Sequence, residues 1–179
     1  MPFYALLEAI GKQAFNKRYH ARMKPKVYLE TSVVSYWTAP PSRDARVAAF
    51  QQATHEWFSA KHAAFDLFVS DLVVEEASAG DASHAQARLT AMKPFPRLLI
   101  APEARKLAPF VLKSANLPPG ALADALHISV AALNGMDYVL TWNMRHIANE
   151  DIRQRLRVAL EKRNIVCPKL ATPLEFLGD

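Results

Sequence analysis

The sequence predicts an α/β fold built on a central parallel sheet of about five strands, and three observations carry that prediction. Short runs rich in β-branched and aromatic residues alternate with longer helix-periodic stretches along the 179 residues. That order feeds a parallel sheet covered by helices on both faces. Ala121–Leu133 is apolar almost all the way round, the pattern of a buried helix. Polar residues stand at the carboxyl ends of three strand runs (Glu30, Ser70-Asp71 and Asn143), the edge at which open parallel sheets bind ligands.

The elements follow in order. Phe3, Leu6, Leu7, Ile10 and Phe15 lie near helical spacing, so residues 3–15 read as a short amphipathic helix. Residues 16–26 are basic and contain Pro25, the composition of a linker or arm, and Met23 offers an alternative start of translation. Val27–Leu29 is the first strand. After Pro40-Pro41, residues 44–62 place Val47, Phe50, Thr54, Trp57 and Phe58 on one side of a helix. Leu67–Val69 is the second strand. Val73–Ala79 is a helix carrying Glu75 and Glu76, broken at Gly80-Asp81, and Ser83–Met92 is another. Leu98–Ile100 is the third strand, Pro102–Ala115 a helix, and Pro118-Pro119-Gly120 a loop. The buried helix turns at Asn134-Gly135 into the fourth strand, Tyr138–Trp142. Asp151–Lys162 is an exposed helix, Ile165-Val166 a fifth strand, and Pro173–Leu177 a terminal helical turn. No internal repeat is present. The chain divides into an extension over residues 1–25 and one domain over residues 26–179.

Composition narrows the function. Six basic residues and one acid lie at or before Lys26, so that segment alone carries the net charge of +5. The high isoelectric point is therefore no sign of a basic nucleic-acid-binding body. Arg153, Arg155, Arg157, Lys162 and Arg163 form a local basic cluster, read as a solvated helix face. No apolar run approaches the ~20 residues of a membrane span, and no secretory signal is evident. The single cysteine, Cys167, excludes an internal disulfide and a cysteine-based zinc site and fits a reducing cytosol.

A carboxylate in an apolar helix needs a cation, a set of donors or a shifted pKa, so Asp124 is the first candidate site residue. The competing reading is a first-turn acid complementing the helix dipole. Glu30 ends the first strand, Glu76 lies on the helix after the second, and Asn143 ends the fourth. Four oxygen-bearing side chains, Glu30, Glu76, Asp124 and Asn143, thus approach one sheet edge. Oxygen donors suit Mg²⁺ or Mn²⁺, and such a site activates water and stabilises a phosphoryl transition state. Acids at these positions also serve as helix caps.

Val27-Tyr-Leu-Glu-Thr-Ser-Val-Val-Ser-Tyr36 resembles the opening motif of PIN-domain ribonucleases. Val69-Ser-Asp-Leu-Val-Val-Glu-Glu76 with Gly80-Asp81 resembles their second acidic segment. Asp124-Ala-Leu-His-Ile-Ser-Val-Ala-Ala132 and Asp137-Tyr-Val-Leu-Thr-Trp-Asn-Met-Arg-His-Ile-Ala-Asn149 resemble the third and fourth. The similarity is greatest to VapC-like toxins of bacterial type II toxin–antitoxin systems and covers Lys26 to Leu177. It implies a three-layer α/β/α domain and a Mg²⁺- or Mn²⁺-dependent endoribonuclease. It also implies an RNA substrate, a cytoplasmic homodimer and a small inhibitory antitoxin. The family's acids fall on Glu30, Glu76 and Asp124, with Glu75 the alternative second acid and Asn143 at the fourth position. Thr31 and Ser32 match hydroxyls that orient the first acid or a metal-bound water, and Thr141 serves likewise at the fourth position.

Two departures stand out: the first acid is normally aspartate, and many members carry a fourth acid where this chain has Asn143. They leave a second reading open, a catalytically impaired PIN-like module that binds RNA or a protein. A small-molecule phosphohydrolase finds no Gly-rich phosphate loop in the sequence. His127 is either a partner of Asp124 or a packed core histidine. Arg145 and His146 either touch the scissile phosphate or sit idle in a loop. Tyr36 and Trp37 either stack bases or pack in the core.

Overall fold

The computed structural model describes residues 24–178; the helix expected over 3–15 and most of the basic extension lie outside them. Among the described residues the strands are β1 (Lys26–Leu29), β2 (Asp66–Ser70), β3 (Arg97–Leu98), β4 (Tyr138–Leu140) and β5 (Lys169–Ala171). The α-helices are α1 (Thr31–Thr38), α2 (Ala45–Ala60), α3 (Asp71–Ala77), α4 (Ala82–Met92), α5 (Pro102–Ser114), α6 (Leu122–Leu133) and α7 (Glu150–Glu161). The sheet order is β3-β2-β1-β4-β5, every pairing parallel. The chain runs outward from β1 through β2 to β3, then returns to the other side of β1. With right-handed crossovers, that reversal puts α1–α4 on one face and α5–α7 on the other. The packing agrees: α1 lies against α2, α3 and α4, and α5 against α6 and α7.

β1 is the centre of the sheet, and its Val27, Tyr28 and Leu29 are fully buried. Burial on both faces explains an apolar run without alternation. α6 is buried from Ala125 to Ala132, as its sequence requires. Removing one such side chain as large as Ile128 from water stabilises by roughly 1.5–3 kcal/mol. The helix stops where Gly135 takes φ +62°. Its N–H donates to Ala132 and that of Met136 to Ala131, closing the last turn and seating Met136 in the core.

Four boundaries differ from the sequence reading. Thr31–Thr38 is helical, although its β-branched residues gave no helical signal. Burial of Val33 and Val34 outweighs the small propensity penalty. β3 is Arg97–Leu98, not Leu98–Ile100, because the chain leaves this edge at Leu99, which is 74% exposed. β4 ends at Leu140, freeing Trp142 to stack on Phe50 and donate its indole N–H to Thr54. β5 is Lys169–Ala171, not Ile165-Val166. Asn164 turns the chain with φ +56°, Val166 is 81% exposed, and the ladder begins only after Pro168, when Lys169 N–H donates to Asp137.

Candidate functional site

The sheet order reverses beside β1, at the carboxyl ends of β1 and β4. Ligands of open α/β sheets bind at such a switch point. Glu30 is the residue after β1, and Thr141, Trp142 and Asn143 follow β4. Glu30 is buried and acts as the N-cap of α1. Its Oε2 accepts from the backbone N–H of Ser32 at 3.1 Å, from the Ser32 hydroxyl, and from the Thr141 hydroxyl at 2.7 Å. Ser32 Oγ in turn accepts the backbone N–H of Trp142 at 2.8 Å. One oxygen of Glu30 thus joins the start of α1 to the end of β4.

Glu76 reaches the same end of the sheet from α3. Its Oε2 accepts from the Thr31 hydroxyl and lies 3.1 Å from His127 Nε2. Glu75, one residue back, is exposed, as expected from the ~100° turn between successive helical residues. Burial raises the Glu76 pKa, but the hydrogen bonds from His127 and Thr31 lower it and the carboxyl lies below its ordinary value. His127, on α6, does not meet Asp124. Its Nδ1 is 2.7 Å from the hydroxyl of Tyr28, which is also 2.7 Å from Ser70 Oγ. Burial pushes the Tyr28 phenol well above its ordinary range, so it stays protonated.

Asp124 anchors a second group. Its Oδ1 accepts from Asn143 Nδ2 at 2.8 Å and its Oδ2 from His146 Nδ1 at 2.9 Å. The Asn143 carbonyl accepts the His146 backbone N–H at 3.0 Å. The sequence reading offered that oxygen to a metal; it also ties down the loop after β4, with its second lone pair left over. Thr141 connects the two groups, donating to Glu30 while its Oγ1 accepts the Asn143 N–H at 2.9 Å. Glu30, Asp124 and Asn143 therefore belong to one hydrogen-bonded chain.

Single ligand atoms of Glu30, Glu76 and His127 lie within 4.8 Å of one another, and Asp124 is not in that group. Two carboxylates so close repel by about 3 kcal/mol at an effective dielectric constant of 20. Among the described residues no lysine or arginine pairs with Glu30, Glu76 or Asp124. The cluster is thus short of positive charge, and its oxygens suit a hard divalent cation.

The remaining candidates separate cleanly. Arg145 is exposed. Tyr36 packs edge-on against Phe50 and Trp142, and Trp37 stacks on Phe58 at 3.8 Å, so both are packing residues. Arg155, Arg157, Lys162 and Arg163 are exposed on or just after α7, while Arg153 pairs with Glu150 and Glu175. Burial pushes the Cys167 thiol up to about 11, leaving it unreactive. Tyr28 was not singled out from the sequence, and Ser70 was noted only as a polar strand end. The available signal was a tyrosine inside a fully buried strand, whose hydroxyl must find a partner.

No protein-family model and no curated protein matches the sequence. Among solved structures, a chain of VapBC2 from Rickettsia felis, crystallised bound to a DNA fragment from its promoter, superposes with a TM-score of 0.50. It shares 13% identity over 82% of this chain and 98% of that one. VapC20 from Mycobacterium tuberculosis, described as a sarcin-ricin loop cleaving toxin, is 15% identical over 63% of this chain and 86% of its own, with a TM-score of 0.47. At 13% identity the VapBC2 likeness is one of architecture alone: this chain's five parallel strands between two helical layers share the overall fold of that chain.

Proposed function

We propose that this chain is a divalent-metal-dependent endoribonuclease, the toxin of a toxin–antitoxin pair. The observation that carries the reading is the set of carboxylates at the switch point, Glu30, Glu76 and Asp124. They come from distant parts of the chain, are fixed by neighbouring hydroxyl, amide and imidazole donors, and lack a basic partner among the described residues.

The residues fit Mg²⁺ or Mn²⁺. Among the described residues Glu30 Oε1 and Glu76 Oε1 accept no protein hydrogen bond, so each carboxylate has one oxygen anchored and one free. A divalent cation bound there lowers the pKa of water and offsets charge on the phosphoryl oxygens. Thr31, Ser32 and Thr141 hold Glu30 and Glu76 in place before any cation arrives, which limits reorganisation on binding. Asn143 orients Asp124 and contributes as a positioning residue. His146, whose Nδ1–H is given to Asp124, keeps its other ring nitrogen available to an approaching phosphodiester.

The impaired-module alternative rests on the extra methylene of Glu30. Three donors meeting at Glu30 Oε2 support glutamate as the length this site is built for and weigh against that alternative. The likeness to a VapBC complex supports an antitoxin partner; a cytoplasmic homodimer is what the sequence resemblance implies. Residues 26–179 would form the catalytic domain and residues 1–25 a basic arm. Among the described residues no helix is long and apolar enough to cross a membrane.

The test is cleavage of a mixed single-stranded RNA pool by antitoxin-free protein, with Mg²⁺, with Mn²⁺ and with EDTA. Cleavage that requires metal and disappears in Asp124→Ala supports the reading. Folded protein that cleaves in neither metal refutes it.

A further inference from the structure

We infer that His127 is a positioning residue, held as the neutral tautomer with its proton on Nε2, which orients Glu76 from behind and is not itself a metal ligand. For the role of the Glu76 site this rests on the metal-dependent reading above; the tautomer assignment stands independently of it.

Proximity alone would favour a ligand, since His127 Nε2 lies with Glu30 and Glu76 oxygens inside one 4.8 Å group. Hydrogen-bond accounting decides otherwise. His127 is 1% exposed and Ser70 and Tyr28 are fully buried, so every proton in this network must find its acceptor within the protein. With the proton on Nε2, His127 donates to Glu76 Oε2. Nδ1 is then an acceptor and takes the Tyr28 hydroxyl proton. Tyr28 Oη accepts the Ser70 hydroxyl proton, and Ser70 Oγ accepts the Val73 backbone N–H at 3.3 Å. Each donor has one acceptor and none is left over.

The other two states fail the count. If Nδ1 carries the proton, it donates to Tyr28, Tyr28 must donate to Ser70, and the buried Ser70 proton has no acceptor among the described residues. Nε2 would also point a lone pair at the Glu76 oxygen 3.1 Å away. The imidazolium strands the same Ser70 proton. A ligand role requires the bare Nε2 of the first failing state. The satisfied state instead spends Glu76 Oε2 on Thr31 and His127 and leaves Oε1 without a donor among the described residues. The cation site is consequently an all-oxygen one, which suits Mg²⁺ and Mn²⁺ and lacks the imidazole that draws softer metals.

The experiment uses the full chain labelled with ¹⁵N-histidine, with long-range ¹H–¹⁵N correlations recorded before and after adding Mg²⁺ and the His127 signals assigned by their loss in His127→Gln. The expected result is a protonated Nε2 and an acceptor-type Nδ1, with the tautomer unchanged by Mg²⁺. A protonated Nδ1, an imidazolium, or loss of the Nε2 proton on adding Mg²⁺ overturns the inference. Titration calorimetry with Mg²⁺ supplies a second arm. His127→Leu is expected to weaken binding by roughly 10–100-fold, the usual cost of losing a group that orients a ligand. His127→Gln, whose amide N–H can replace Nε2–H, stays within a few fold of the parent. Equal losses in both variants, or none in either, contradict it. Absence of Mg²⁺ binding by the unaltered chain would count against the nuclease reading alone, because the tautomer is still read from the spectrum.

Discussion

Shortening Glu30 to aspartate should weaken this protein, although aspartate is the commoner N-cap. Glu30 Oε2 is where three donors meet: the Ser32 N–H, the Ser32 hydroxyl, and the Thr141 hydroxyl at 2.7 Å. Glu30→Asp withdraws the carboxylate by one C–C bond, about 1.5 Å. The Ser32 N–H lies within two residues and can still be capped. Thr141 sits on the end of β4 and cannot follow, so its bond stretches to roughly 4 Å, beyond hydrogen-bonding range. A hydrogen bond to a charged group contributes about 1.5–3 kcal/mol. In a domain of this size each kcal/mol moves the melting temperature by about 2–4 °C, so Tm should fall by roughly 3–12 °C. The misplaced carboxylate should also reduce metal-dependent cleavage by about a hundredfold. Thermal unfolding without metal and single-turnover cleavage with Mg²⁺ measure the two effects. Glu30→Gln serves as the comparator that keeps length but loses charge. An aspartate variant that melts no lower than its parent and cleaves at least as fast would refute the claim that the site is built around glutamate.

Other perturbations follow from the same geometry. Tyr28→Phe strands both Ser70 and His127 Nδ1 in the core. Each unsatisfied buried group costs about 1–3 kcal/mol, so urea unfolding should show a loss of about 2–6 kcal/mol, and a loss under about 1 kcal/mol would mean that the network relaxes. The Glu76 pKa is lowered on folding despite its burial, through His127 and Thr31. Its stabilising contribution is then fully present above the unfolded value near 4.5 and is lost as pH falls through the lower folded value. Stability of Glu76→Gln should therefore decline less steeply than that of the parent below about pH 5, and parallel acid profiles would contradict the shift. Gly135→Ala forces a Cβ into the left-handed region at φ +62° and should cost about 1–2 kcal/mol by the same urea assay, with an unchanged midpoint as the failing result.

Much of this site was legible from residue type and spacing. An all-round apolar α6 announced its own burial, and a carboxylate in it demanded partners; Asn143 and His146 supply them. Helix geometry said that only one of Glu75 and Glu76 could face inward without saying which; Glu75 proves exposed and Glu76 meets Thr31 and His127. The errors arose where tertiary contacts overrule local preference. Val33 and Val34, β-branched residues that received no assignment from the sequence, are buried on α1. Ile165-Val166 has strand composition, yet the turn at Asn164 and the missing N–H of Pro168 defer pairing to Lys169. The partition of the four candidates into two linked groups was invisible for a different reason. Sequence spacing brings residues to an edge but does not say which donor each oxygen receives. The roles of His127 and Thr141 depend on cross-strand and cross-helix neighbours at separations of 51 to 111 residues.

The central claim is that Glu30, Glu76 and Asp124 act together on one divalent-cation site. It is tested most directly by equilibrium Mn²⁺ binding, followed by electron paramagnetic resonance, in the unaltered chain and in Glu30→Gln, Glu76→Gln and Asp124→Asn. Saturable binding in the parent that is weakened at least tenfold in each variant is the predicted result. No saturable binding, or binding indifferent to all three changes, would contradict it.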